Sequence, residues 1–315
     1  MKRDKLLKML LPALLCCLLW GSAFPFIKLG YRELGIAQDD SFSQLLFAGV
    51  RFMLAGVLAV IIGSFVQRRA LLPDGSDLKK AAELSLFQTV SQYTFFYLGL
   101  ARTTGMKSSI ITGSNVFFSV MLSAFLFRQE RLTARKLIGC LIGFAGVVLI
   151  NLKSGESAGF SLTGEGFILF SAMSYGVSSC LTKRFSKEHD PVLLSGWQFI
   201  MGGAVMTIAG LCFGGSLGTV TLKGLMILLW LAFVSAAAFS VWSLLLKHNP
   251  VSEVSVYGFT NPIFGLLLSY LLLGERGSVS TARTLAALVL VAAGIITVNA
   301  AGKQDKSKGS EQNGI

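Results

Sequence analysis

Glu130-Arg131 closes one apolar stretch of the chain and Thr133-Ala134-Arg135 opens the next; further on, Glu275-Arg276 and Thr281-Ala282-Arg283 do the same. Outward from this pair the correspondence continues. Trp20-Gly21 followed by Lys28 returns as Tyr175-Gly176 followed by Lys183, and Gly49-x-Arg51-Phe52-x-x-x-Gly56 as Gly196-x-Gln198-Phe199-x-x-x-Gly203. Gly146 to Asn151 (GVVLIN) echoes Gly294 to Asn299 (GIITVN). A unit of roughly 150 residues is therefore present twice.

Composition identifies the solvent of this unit. With 53% hydrophobic and 14% charged residues and a mean hydropathy of +0.67, the chain reads as an integral membrane protein. A bilayer's apolar core needs about 20 apolar residues per helix. Ten such stretches are present, near 9–28, 44–66, 82–101, 107–127, 135–151, 163–182, 194–213, 222–246, 253–273 and 283–301. The expected fold is an all-α integral membrane protein of ten transmembrane helices. Residues 1–151 form the first five-helix repeat, 160–301 the second, and 302–315 a disordered cytoplasmic tail rich in Lys, Ser, Gly and Gln.

After five crossings the second copy starts on the opposite side of the membrane, so the repeats are expected to be inverted. The Lys and Arg distribution bears on this independently. With a cytoplasmic N-terminus, nineteen of these residues fall in inner segments and eight in outer ones, leaving Arg51 within span two. Both termini are thus expected in the cytoplasm. The formal charge of +12 then reflects topology and anionic lipid rather than nucleic-acid binding. The basic, apolar start resembles a secretory signal, but nine further spans favour an uncleaved first helix.

No catalytic or metal-binding pattern stands out. Cys16, Cys17, Cys140, Cys180 and Cys212 lie within spans without CxxC spacing, and His189 and His248 lie in short loops without partners of a triad or metal site. No cofactor is expected. Chemistry must come from polar groups inside the spans, each costly in lipid unless it faces a cavity or another helix. On span three Ser85, Gln88 and Gln92 share a helical stripe, and Tyr97 matches Trp242 of span eight. On span nine Tyr257 and Asn261 precede or flank Pro262, which cannot donate to the Gly258 carbonyl; a kink and a carbonyl open to other donors are expected there. The matching part of span four is Thr112-Gly113-Ser114-Asn115. Span one offers Trp20, Ser22 and Pro25, and span six Ser171, Ser174 and Tyr175, with Gly21 and Gly176 allowing close approach to the backbone. The bland alternatives are helix-bridging amides and interfacial aromatics. Lys28 and Lys183 read as snorkelling. Arg51 is taken as structural, because its repeat partner is Gln198. No Asp or Glu stands mid-span, and Gly139-x-x-x-Gly143 with Ala292-Ala293-Gly294 permits close helix contact.

The ten spans, LLWGSAFPFIK in span one, Glu-Arg-Leu-Thr after span four and the Glu275-Arg276 counterpart resemble the EamA family of the drug/metabolite transporter superfamily, over residues 9 to about 300. The resemblance implies a bacterial inner-membrane carrier of amino acids and other small metabolites, often outward, by alternating access through a cavity lined by spans one, three, four, six, eight and nine. It departs where the family often carries proline late in span four and this chain has Phe117. The first-helix glutamate of the four-span multidrug relatives is also missing. The residues expected to face the solute are Trp20, Ser22, Gln88, Gln92, Asn115, Tyr175, Trp242, Tyr257 and Asn261. Aromatic walls with amides suit an amphipathic solute such as an amino acid; uptake of a sugar or nucleoside is the alternative. A membrane enzyme would need a nucleophile, base or metal cluster, and a sensor or scaffold a soluble domain. The expected partners are a small-molecule solute and the lipid bilayer, not nucleic acid, with a homodimer left open.

Overall fold

The computed structural model describes residues 2–37, 39–103, 105–151, 160–273 and 281–312, and the second deciding pair, Glu275-Arg276, lies outside them. Among the described residues all regular structure is helical. The rods are α1 (Lys2–Glu33), α2 (Ser41–Gln67), α3 in three pieces (Gly75–Ser85, Leu86–Ser91, Gln92–Leu100), α4 in two (Gly105–Gly113, Asn115–Phe125), α5 (Ala134–Asn151), α6 (Glu165–Phe185), α7 (Pro191–Cys212), α8 (Leu222–His248), α9 in three (Val251–Ser255, Val256–Thr260, Asn261–Leu273) and α10 (Thr281–Gln312). Local chemistry sets several starts. Asp40 accepts from the Ser43 N–H at 2.9 Å at the head of α2, and Asp190 caps Val192 and Leu193 with Pro191 at the first position of α7. The backbone of α10 continues to Gln312, through the tail where no structure is expected from composition.

Among the described residues seven helical stretches are long and apolar enough to cross a membrane: Met9–Glu33, Ser41–Gln67, Lys107–Phe125, Pro191–Cys212, Leu222–His248, Val251–Leu272 and Ala282–Ala300. The helices α3 and α6 are more polar, carrying Ser85, Gln88, Thr89 and Gln92 in one and Ser171, Ser174, Ser178, Ser179 and Thr182 in the other. These polar side chains are buried. Large apolar side chains instead face outward, among them Leu11, Ile61, Phe65, Ile208, Met226 and Val289, as a lipid-facing surface requires. The chain is a multi-pass membrane protein.

The packing repeats itself as the sequence does. Helix α2 runs along α7 and α5 along α10; α1 packs on α8 and α9, while α6, its repeat counterpart, packs on α3 and α4. A Cβ added to Gly49 would lie 2.9 Å from the Gly203 carbonyl oxygen, and one added to Gly203 2.7 Å from that of Gly49. Gly56 and Gly196 stand in the same relation, at 2.5 and 3.2 Å. Because Gly49 matches Gly196 in the repeat and Gly56 matches Gly203, each half offers the other the same patch. The order of contacts, Gly210 on Leu46 and Gly63 on Val192, makes α2 and α7 antiparallel. The α5–α10 pair behaves alike: Gly139 meets Gly294 and Gly146 meets Ala287, each at 2.9 Å from a carbonyl oxygen.

The interrupted rods are α3, α4 and α9. In α9 the bond that Pro262 cannot donate is replaced by a tighter one: the Asn261 N–H binds the Gly258 carbonyl across a 3-10 turn. That carbonyl is therefore occupied rather than open, a correction to the reading of the proline. The matching stretch of α4 breaks at Ser114 without proline, the Ser114 N–H bonding Ile111 at 2.9 Å. Leu86–Ser91 of α3 winds as a π-helix, the Gln92 N–H reaching back to Phe87. Lys183 bonds the carbonyls of Leu246 and Asn249 at 3.0 and 2.5 Å, where the end of α8 favours a cation, so it ties helices together instead of snorkelling.

Candidate functional site

Glycine brings α1 against α9 and α6 against α4. A Cβ on Gly21 would lie 2.5 Å from that of Phe264, and one on Gly176 2.8 Å from that of Phe118, so the adjacent Trp20 and Tyr175 are held at two matching crossings. Trp20 meets Trp242 of α8 edge-on, with ring centroids 5.0 Å apart, and Phe239 at 4.9 Å. From there an aromatic wall continues through Phe199 (4.9 Å from Phe239), Phe52 (5.1 Å from Phe199) and Tyr93 (4.5 Å from Phe52). Phe52 and Phe199 are repeat partners and stack within 5° of parallel. The wall thus passes through the place where the two halves meet.

Six of the nine sequence-selected residues carry a buried polar atom with no hydrogen-bond partner among the described residues: Trp20 Nε1, Gln88 Oε1, Gln92 Oε1, Asn115 Oδ1, Trp242 Nε1 and Asn261 Oδ1. Buried polar atoms normally find partners, and leaving one without costs about 1–3 kcal/mol. The six are distributed over α1, α3, α4, α8 and α9. Gln88 and Gln92 lie on the π-helical turn and at its end, where one residue of extra winding shifts side-chain directions relative to an α-helix. The neighbouring Thr89 Oγ1 donates to Gln198 Oε1 at 2.6 Å across to α7, and Ser171 donates to the Gln92 carbonyl at 2.7 Å.

The other three behave differently. The Ser22 hydroxyl is spent on the Leu19 carbonyl at 2.7 Å, a local bond. The Tyr257 hydroxyl lies 3.5 Å from Asn299 Nδ2 of α10, turned toward the α5–α10 side. Tyr175 has its carbonyl engaged by Ser178 and Ser179. Cys16, Cys17, Cys140 and Cys180 are buried as packing residues, but Cys212 is exposed.

The charge of Arg51 is not repeated in the second half, where Gln198 stands at the matching position. Arg51 is 3% exposed, so its guanidinium does not reach the surface, and its Nε has no hydrogen-bond partner among the described residues. Its Cζ stands 4.3 Å from the Phe52 ring centroid and 5.9 Å from that of Tyr93. Phe52 and Phe199 were legible as repeat partners, but nothing in the pattern showed that they stack. An open pocket bordered by Ala124, Phe125 and residues 128–132 lies on other residues, at the loop joining α4 to α5.

Known proteins share this arrangement. A solved crystal structure superposes with a TM-score of 0.74 at 19% identity, covering 93% of this chain and 97% of that one, which shows a common fold. A WAT1-related chloroplastic protein of Arabidopsis thaliana is 30% identical over 78% of this chain, the match spanning 61% of that protein. An uncharacterized transporter of Archaeoglobus fulgidus is 28% identical, covering 85% of this chain and 90% of its own length. A protein of Escherichia coli K12 named as a probable amino-acid metabolite efflux pump is 27% identical over 84% and 86%. The model of the EamA-like transporter family matches residues 7–152 and again 162–300, so that both halves packed around the Phe52–Phe199 stack are accounted for, and the chain belongs to that family.

Proposed function

We propose that this membrane transporter is an inner-membrane carrier that moves small amphipathic metabolites, amino acids or their relatives, outward by alternating access. The observation that carries the reading is the set of six buried polar atoms on α1, α3, α4, α8 and α9 without partners among the described residues, two of which, on Trp20 and Trp242, belong to rings that join the aromatic wall. A solute bearing donors and an apolar body would satisfy the amide oxygens and lie against the rings. The name of the Escherichia coli relative supports the solute class and the direction. The antiparallel α2–α7 and α5–α10 pairs, each joining repeat-related helices, support ten crossings in two inverted five-helix halves, because a two-fold axis that reverses a helix lies in the membrane plane. The nineteen-to-eight Lys and Arg bias supports cytoplasmic termini.

The test uses the full chain reconstituted in liposomes. Thermal stabilisation is measured against amino acids, sugars and nucleosides, since a ligand that binds the folded state raises its apparent stability. A selective shift with amino acids is expected. Replacing Gln88 and Gln92 together by alanine should abolish that shift and lower flux while the protein still assembles in the membrane. Flux kinetics unchanged in the double variant would remove these residues from the site.

A further inference from the structure

We infer that Arg51 anchors the carboxylate of the transported solute at the α2–α3 end of the aromatic wall. The argument begins with cost. Arg51 is the eleventh residue of the 27-residue α2, about 15 Å from the helix start, and its side chain is buried. A charge at such depth is kept where it meets an opposite charge or lines a solute path. No carboxylate pairs with it among the described residues; the acids of the ion pairs there, Glu33, Glu83, Glu130, Glu165 and Asp190, are engaged by lysines or Arg69, and Asp77 by the His189 ring. The rings of Phe52 and Tyr93 hold its position but return only part of the desolvation cost, because an aromatic face supplies about 0.5–2 kcal/mol. Tyr31, Tyr93 and Tyr97 pack in the same cluster as Phe52.

A planar guanidinium flanked by phenols and a ring wall matches a carboxylate by its fork geometry. The rings continuing toward Phe199, Phe239 and Trp20 would take an apolar body. One positive charge balances a single negative one, which favours a carboxylate over a doubly charged phosphate. This assignment rests on the carrier reading and narrows its solute to one with an unblocked acid. It also separates the halves chemically: Gln198, at the matching position, is held by Thr89.

The test compares each amino acid of the panel with its own carboxamide on the reconstituted chain, by thermal stabilisation and by counterflow. The native protein should bind the acid at least about tenfold more tightly than the amide, the usual size of a buried charged hydrogen bond. Arg51→Gln installs the residue that the other half already carries at this position; it should lose the preference, binding acid and amide alike. A preference retained in Arg51→Gln, or absent from the native protein, overturns the anchor and leaves the carrier standing. Response to neither series overturns both readings for amino-acid solutes. If the glutamine variant fails to fold, Arg51→Lys decides: weaker but still acid-selective binding is expected, and affinity unchanged from the native protein shows that the guanidinium is not a contact.

Discussion

Replacing Gly56 by alanine is expected to lower stability by about 3 kcal/mol, an unusual cost for one methyl group. The added Cβ would stand 2.5 Å from the Gly196 carbonyl oxygen and 2.7 Å from the Ile200 backbone nitrogen. Neither is the tip of a flexible side chain, so α2 and α7 must part along their length. Small residues let membrane helices approach this closely, and dispersion contact is the main gain of that approach in lipid. Gly203→Ala should cost a similar amount, because it is the matching glycine of the other half and meets the Met53 nitrogen and Gly49 carbonyl oxygen at 2.6 and 2.7 Å. Combining Gly56→Ala with Gly196→Ala should cost less than the sum, since the two sites face each other. Gly75→Ala is the control: nothing lies within 4 Å of its added Cβ. Apparent melting temperature in detergent or bilayer measures all four. Equal behaviour of Gly56→Ala and Gly75→Ala would mean that α2 and α7 do not pack as described.

The parts of this molecule that were legible in the sequence are those that one residue announces by type and spacing. The duplication is visible because Glu-Arg, Thr-Ala-Arg and the glycine registers recur, and the helices because lipid demands long apolar runs. Close approach at Gly21, Gly139 and Gly176 followed from glycine itself. What escaped was set by contacts between distant segments. The repeat displays Gly56 and Gly203 as equivalent positions, but not that Gly56 touches Gly196. Pro262 shows that a bond is missing but not that Asn261 restores it one residue earlier. Polar residues on α3 were found as a stripe, yet the π-turn that orients Gln88 is a tertiary compromise. For Arg51 the sequence displays that the charge is absent from the other half, whereas its burial without a counter-charge is a property of packing.

Glu130→Ala should be the other large loss, about 3 kcal/mol, and its origin is electrostatic. The carboxylate lies in the loop between α4 and α5, accepting from Lys136 Nζ at 2.8 Å, from Ser123 at 2.8 Å, from the Ser252 N–H at 2.9 Å and from the Ser252 hydroxyl. The Lys136 and Glu130 side chains are 3% and 8% exposed, so water screens the pair weakly. One carboxylate thus fastens the end of α4 and the start of α5 to the start of α9. Its removal withdraws a counter-charge from a buried ammonium and an acceptor from the head of α9, and breaking one side of such a pair is costly. Changing both partners, Glu130→Gln with Lys136→Met, should recover part of the loss, because it withdraws the charge along with its counter-charge. Burial pushes the Glu130 carboxyl upward, but the hydrogen bonds from Lys136 and Ser252, the Lys136 charge and the Ser123 bond outweigh it and hold the group below its ordinary value of 4.5. A carboxyl depressed by folding adds stability that is full above that ordinary value and fades as pH falls below it. The melting difference between native protein and Glu130→Gln should therefore be wide at neutral pH and narrow on acidification below about 4. A difference that stays constant across that range would mean that the carboxylate's charge does not hold this junction together.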